Sequence, residues 1–179
     1  AVSFPKNATD MEMARQLANV AGDATRHRPA MIAKIERSEA IPELEAIILY
    51  QLAALSGMAR AEGLTMSHVK PHGALSNMAS ASLELARTVA AAVKAFDPAL
   101  ILLAPALSEL SQAGYETGLP VVEEIFADRA YLDDGNLVPR RRPDAMIHGA
   151  EASLAHVSAM LDEQALISVT GKRLPATIG

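Results

Sequence analysis

The chain has 179 residues, a formal charge of −5 and half of its residues apolar, yet it carries three Phe, three Tyr and no Trp. That length supports one domain with its own core, and the core must be aliphatic. The acidic balance argues against nucleic acid or an anionic membrane as the main partner, and the absence of Cys excludes disulfides and thiolate zinc sites.

In chain order, "TDMEMARQLANVAG" reads as a helix with a capping box, Thr9 to Glu12, before Met13, Leu17 and Val20 at helical spacing. No apolar run reaches the length of a membrane span, and the opening "AVSFPKNATD" lacks the layout of a signal peptide; a cytoplasmic protein is expected. "GDATRHRPAMIAKIERSEA" is polar and only weakly periodic. A second helix is predicted from near Pro42 to a stop at Gly63, with apolar residues on most of its circumference and therefore burial on more than one side, inside the fold or between copies in a homo-oligomer.

"LTMSHVK" predicts a strand over residues 64–70, "SNMASASLELARTVAAAVKAF" one long helix, and "ALILLAP" a strand buried on both faces. "LSELSQAGYETG" then reads as a helix and "LPVVEEIFA" as a strand. Strands and helices alternating at this pace imply parallel βαβ units, hence an α/β sheet or barrel. Asp134-Gly135 marks a tight turn, residues 150–162 a helix, and "ALISVTGKRLPATI" two short strands joined at Thr170-Gly171. With no repeat and no linker, residues 1–179 are expected to form a single domain.

Two clusters carry chemistry. In "HVKPHG", strand alternation puts His68 and Lys70 on one face, Pro71 ends the strand, and His72 and Gly73 fall on the loop beyond. That loop follows the carboxyl end of a parallel strand, where α/β folds hold ligands. Lys70 can hold a carboxylate or phosphate, and a histidine moves protons near neutral pH. Mutual repulsion would keep the imidazoles neutral. Gly73 would let a ligand approach the backbone, and Ser76 would cap the next helix. The structural alternative makes His68 a satisfied strand residue and Lys70 a solvated end. Two His with no evident carboxylate make a weak zinc site.

The second cluster is "EEIFADRAY", with Glu124, Asp128, Arg129 and Tyr131 where a strand hands over to a loop. Asp128 can orient a base or accept a proton, and Arg129 can clamp an anion; the alternative is a local Asp–Arg pair that holds the loop. The run "RRRP" at 140–143 reads as solvated surface, with phosphate contact as the minority reading, and His27, His148 and His156 have no partner legible in the sequence.

"HVKPHGALSN", "EEIFADRAYLDDGNLVPRRRPDAMI" and "TGKRLPATI", in this order, resemble the LamB/YcsF family from about Glu43 to Ile178. Members of that family are described as the A subunit of bacterial 5-oxoprolinase. The resemblance implies a distorted (β/α) barrel similar to the glycoside hydrolase/deacetylase group. It also implies ATP-dependent opening of the 5-oxoproline lactam to glutamate, together with B and C subunits. ATP is then bound here or by one of those partners, and no divalent metal is specified. Carried onto matching positions, His68, Lys70, His72 and Asp128 become catalytic, and Asn77, Arg129 and Tyr131 substrate-binding.

The family's acidic D-x-N-x-D-x-G-E strand has no counterpart here, and "NVAGD" keeps only the ends of a longer family motif, while Ser76 stands where the family has Tyr. The barrel is therefore expected to lack pieces at its N- and C-terminal ends. Two other classes stay open: a non-catalytic binding or scaffold relative, and a metal-dependent deacetylase-like hydrolase acting on C–N bonds.

Overall fold

The computed structural model describes residues 41–176. The capping-box helix at Thr9 and the "NVAGD" segment lie outside the described residues. The elements in order are α1 (Ile41–Ala61), β1 (His68–Val69), α2 (Gly73–Ala81), α3 (Leu83–Phe96), β2 (Ile101–Pro105), α4 (Glu109–Thr117), β3 (Val121–Glu124), α5 (Ala150–Glu163), β4 (Ala165–Ile167) and β5 (Arg173–Pro175).

The first three strands form a parallel sheet in the order β1-β2-β3, as their alternation with helices requires. Register places His68 against Ile101, and Pro105 against Glu124. The central strand has Leu102 and Ala104 fully buried, and α4 lies against it. Close approach there depends on Gly114, where a Cβ would sit 2.6 Å from Val121 Cγ2 and 3.0 Å from Leu102 Cδ2.

Helix α3 packs between α1 and α4. Its inner positions are Ala86, Val89, Ala90 and Val93, all at most 1% exposed; small side chains there let the helices come together. The main core joins these residues to Leu44, Ile48, Leu102 and Leu110. Each fully buried Leu contributes about 1.5–3 kcal/mol by leaving water. Where α4 ends, the Lys94 ammonium donates to the Thr117 carbonyl, and Gly118 closes the helix in the left-handed region at φ 72°.

Three expectations change in detail. The long helix over residues 76–96 is two helices, broken at extended Ser82, whose hydroxyl accepts from the Leu85 amide. The strand over residues 64–70 shortens to His68–Val69. The second helix buries Leu44, Ile47, Ile48 and Leu52, while Tyr50, Leu55 and Met58 are exposed, so its apolar circumference is not matched by burial all round.

The C-terminal part forms a second layer. β4 and β5 pair antiparallel, Ala165 with Pro175 and Ile167 with Arg173, and the turn between them holds Gly171 at φ 82°. Tyr131, Met160 and Leu166 pack with Ala106 into a second core, and Ala130, Val138 and Ala145 form a third. The described residues contain no helix long and apolar enough to cross a membrane.

Candidate functional site

The three parallel strands point their carboxyl ends at one rim, and the residues singled out by spacing divide there into two places. The first is the end of β1. Lys70, one residue beyond the strand, donates to Glu124 Oε2 at 2.5 Å and lies 5.4 Å from the centre of the Phe126 ring. Both charged side chains are largely sheltered, and the ion pair ties the end of β1 to the end of β3 across β2. The carboxylate that Lys70 holds here is thus internal.

His68 is exposed, with its Nδ1 2.9 Å from the Ser67 hydroxyl. Pro71 is buried and ends the strand. His72 is exposed and stands at the N-cap of α2, without a side-chain capping bond. Ser76 therefore does not cap this helix; it lies inside it, and its carbonyl accepts from the Ser80 hydroxyl at 2.8 Å. Gly73 sits at φ 65° with nothing within 4 Å of a built Cβ, so left-handed backbone rather than close approach requires glycine there.

The second place is a cavity of about 520 Å³. Asn77 and Ser80 of α2, Pro105 and Ser108 at the β2–α4 junction, Arg129, Leu132 and residues 134–140 line it or bound it together with Ala81. Ser108 caps α4 by accepting from the Ser111 amide at 3.1 Å. The preceding Leu107 takes φ 59°, and its Cβ comes within 3.5 Å of a Cβ built on Gly135. Two left-handed turns thus meet to build one wall. The Gly135 turn itself is the one expected at Asp134-Gly135: Asp134 accepts from the Asn136 amide at 2.9 Å, and the Gly135 amide reaches the Leu132 carbonyl.

Arg129 is the most sheltered charge of this cavity, with 7% exposure. Its Nη2 donates to the Val138 carbonyl at 2.9 Å, while its Nε is buried with no hydrogen-bond partner. Burial, then the neighbouring Arg140 charge, weakens the guanidinium's hold on its proton; Asp128 and Tyr131 act the other way. The group remains a cation, and a buried N–H without an acceptor costs about 1–3 kcal/mol until one arrives.

Tyr131 lies behind this surface. The ring is 1% exposed, and its hydroxyl oxygen accepts from the Phe126 amide at 2.7 Å. Burial pushes its pKa up to about 12. His156 of α5 stacks on the ring at 6.2 Å between centroids, and its Nε2 is 3.2 Å from the Arg129 carbonyl oxygen. Desolvation lowers the proton affinity of this imidazole, and the bond to the carbonyl partly opposes that. Tyr131, expected to bind substrate, is enclosed in the second core with its hydroxyl engaged by the Phe126 amide, and it is not on the lining of the cavity. His156, left without a partner in the sequence, is a partner of both Tyr131 and Arg129; nothing local in "SLAHVSA" signals that.

Asp128 is exposed, and among the described residues its carboxylate makes no hydrogen bond; its carbonyl accepts from Ile147. The single convergence expected of all these groups is therefore divided. Asn77 and Arg129 share the cavity, whereas His68, Lys70, His72 and Asp128 are not on its lining. The "RRRP" run also divides: Arg142 forms a bidentate pair with Asp144, at 2.9 and 2.5 Å, while Arg140 borders the cavity. Among the described residues no three His, Asp or Glu side chains are grouped to hold a metal ion.

Fold and cavity together define an α/β protein of parallel βαβ units whose strand ends and following loops carry cationic groups. The chain belongs to the LamB/YcsF family, whose profile matches residues 35–179. It is 57% identical over 130 residues to the 5-oxoprolinase A subunit of Azoarcus sp. (strain BH72), covering 73% of this chain and 51% of that protein. It is 46% identical over 145 residues to the 5-oxoprolinase A subunit of Bacillus subtilis (strain 168), covering 80% and 56%. The crystal structure of the lactam utilization protein from Thermus thermophilus superposes with a TM-score of 0.72 at 34% identity, covering 92% of this chain and 71% of that one. The chain spans about half the length of the curated relatives it matches.

Proposed function

We propose that this chain serves in the A subunit of an ATP-dependent 5-oxoprolinase, opening the lactam of 5-oxoproline to glutamate with B and C partner subunits. The parallel sheet is then one arc of a β/α barrel, with the reaction at its carboxyl rim. The observation that carries the reading is the buried Arg129, with an unpartnered Nε, beside Asn77 at a cavity beyond the carboxyl end of β2.

The substrate has a carboxylate and a planar amide, and both suit such a wall. Arg129 would hold an oxyanion, and the Asn77 amide would orient the ring. An unactivated lactam resists water, and bound ATP would supply the phosphoryl group that makes its carbonyl carbon a better electrophile. The Arg129 guanidinium would suit phosphoryl oxygen as well as carboxylate oxygen. His72, exposed on the loop beyond β1, would be the nearer of the two candidate histidines to move a proton to the departing ring nitrogen, since His68 is level with the start of β2. The Lys70–Glu124 pair fixes the strand ends that present them.

The test is turnover of 5-oxoproline by the full-length protein with its B and C partners, with and without ATP. ATP-dependent glutamate release is expected, with a fall of about 100-fold or more in the Arg129→Ala variant. If Arg129→Ala and Asn77→Ala each keep full activity, the cavity is not the reaction site.

A further inference from the structure

Arg140 opens the "RRRP" run, yet it differs from its neighbours in where it is held. Arg142 is neutralised by Asp144. Arg140 instead borders the cavity that Arg129 lines, and the two charges are close enough to bear on one another. Among the described residues neither guanidinium is paired with a carboxylate. One of them is more than nine-tenths buried and keeps an unpartnered Nε. Among the described residues the carboxylate on the lining is Asp134, which accepts from the Asn136 amide in its own turn.

We propose that Arg140 and Arg129 together form an oxyanion seat, in which the buried guanidinium fixes the anion and the exposed one selects for charge. Two like charges left facing a shared space repel, and an anion with two or more oxygens removes the repulsion. The ligand class is a carboxylate or a phosphoryl group. Assigning that anion to the substrate's carboxylate, or to the phosphoryl group of the activated lactam, rests on the function proposed above. The seat itself does not.

The experiment is calorimetric titration of the full-length protein with 5-oxoproline, with inorganic phosphate, and with 2-pyrrolidinone, the same lactam without a carboxylate. Wild type, Arg140→Ala, Arg140→Lys and the neighbouring Arg141→Ala are compared. Arg140→Ala is expected to weaken binding of an oxyanion by about tenfold or more. Arg140→Lys should recover part of that, and Arg141→Ala should match wild type. Loss confined to 5-oxoproline identifies the carboxylate as occupant, and loss confined to phosphate identifies the phosphoryl group. Failure of both anions to bind wild type overturns the seat, as does wild-type binding of both by Arg140→Ala or an equal loss for uncharged 2-pyrrolidinone. Absence of ATP-dependent turnover with anion binding intact would sink the proposed reaction and leave the seat standing.

Discussion

Lys70 Nζ lies 2.5 Å from Glu124 Oε2, although the residues are 54 positions apart and their strands are not neighbours. Two strand spacings, about 10 Å, separate β1 from β3, so the lysine stem must pass over the end of β2. With 28% and 17% side-chain exposure, the pair is sheltered enough that removing one partner leaves the other poorly solvated. Lys70→Met or Glu124→Gln should each cost about 1–3 kcal/mol, and the double variant should cost less than their sum. Urea denaturation of all four proteins measures the coupling. Strict additivity would mean that the pair is incidental.

Tyr131 is the anchor of the loop that carries Arg129. In Tyr131→Phe the Phe126 amide loses its acceptor inside the core, for an expected loss of about 1–2 kcal/mol. A folded pKa of about 12 against an ordinary 10.0 means that the unfolded chain releases this proton first. Stability from this group is therefore whole below pH 10 and falls from there towards pH 12, by about 2–3 kcal/mol. Spectroscopic titration of the phenols should find one of the three tyrosines ionising only near pH 12. Three normal transitions would show that Tyr131 is open to solvent.

His156 titrates in the opposite sense. Its folded proton affinity lies below the ordinary value of 6.5, so the unfolded state binds the proton more readily. Its contribution is present above pH 6.5 and is lost as pH falls through the lowered folded value. His156→Phe keeps a ring beside Tyr131 and removes the titration. Wild type should lose melting temperature more steeply than His156→Phe between pH 6.5 and 5, and parallel curves would contradict the burial of this ring.

Gly114 tests how tightly α4 seats on the sheet. Alanine is the better helix former by about 1 kcal/mol, yet its methyl would meet Val121 Cγ2 at 2.6 Å. β-branched Val121 is stiff and cannot swing aside cheaply. Gly114→Ala should therefore be destabilising by about 1–3 kcal/mol, measured by chemical denaturation. An increase in stability would mean that the layers part without strain.

The βαβ order was legible because each step is local. β2 reads as a buried strand from "ALILLAP", α4 as a helix from "LSELSQAGYETG", and the C-terminal hairpin from Thr170-Gly171. The break at Ser82 was not legible, since serine inside an alanine-rich run is ordinary for a helix until its hydroxyl is seen to cap a new one. Of the candidate site, spacing picked out Arg129 and the family resemblance Asn77, and the two share a cavity. Within the "RRRP" run spacing could not single out Arg140, because the members of a charge run look alike until a fold sets one of them beside a cavity.

Local periodicity and turn chemistry by themselves determined the alternation of strands and helices, the parallel sheet that follows from it, and the two segments that bring charge to the strand ends. Only the tertiary structure decided which charges meet: Lys70 with Glu124, His156 with the Arg129 carbonyl, and Arg140 with Arg129 at one cavity. The reason is that backbone preference acts over a few neighbouring residues, whereas a side chain's partner is set by packing between layers that the chain reaches only after many turns.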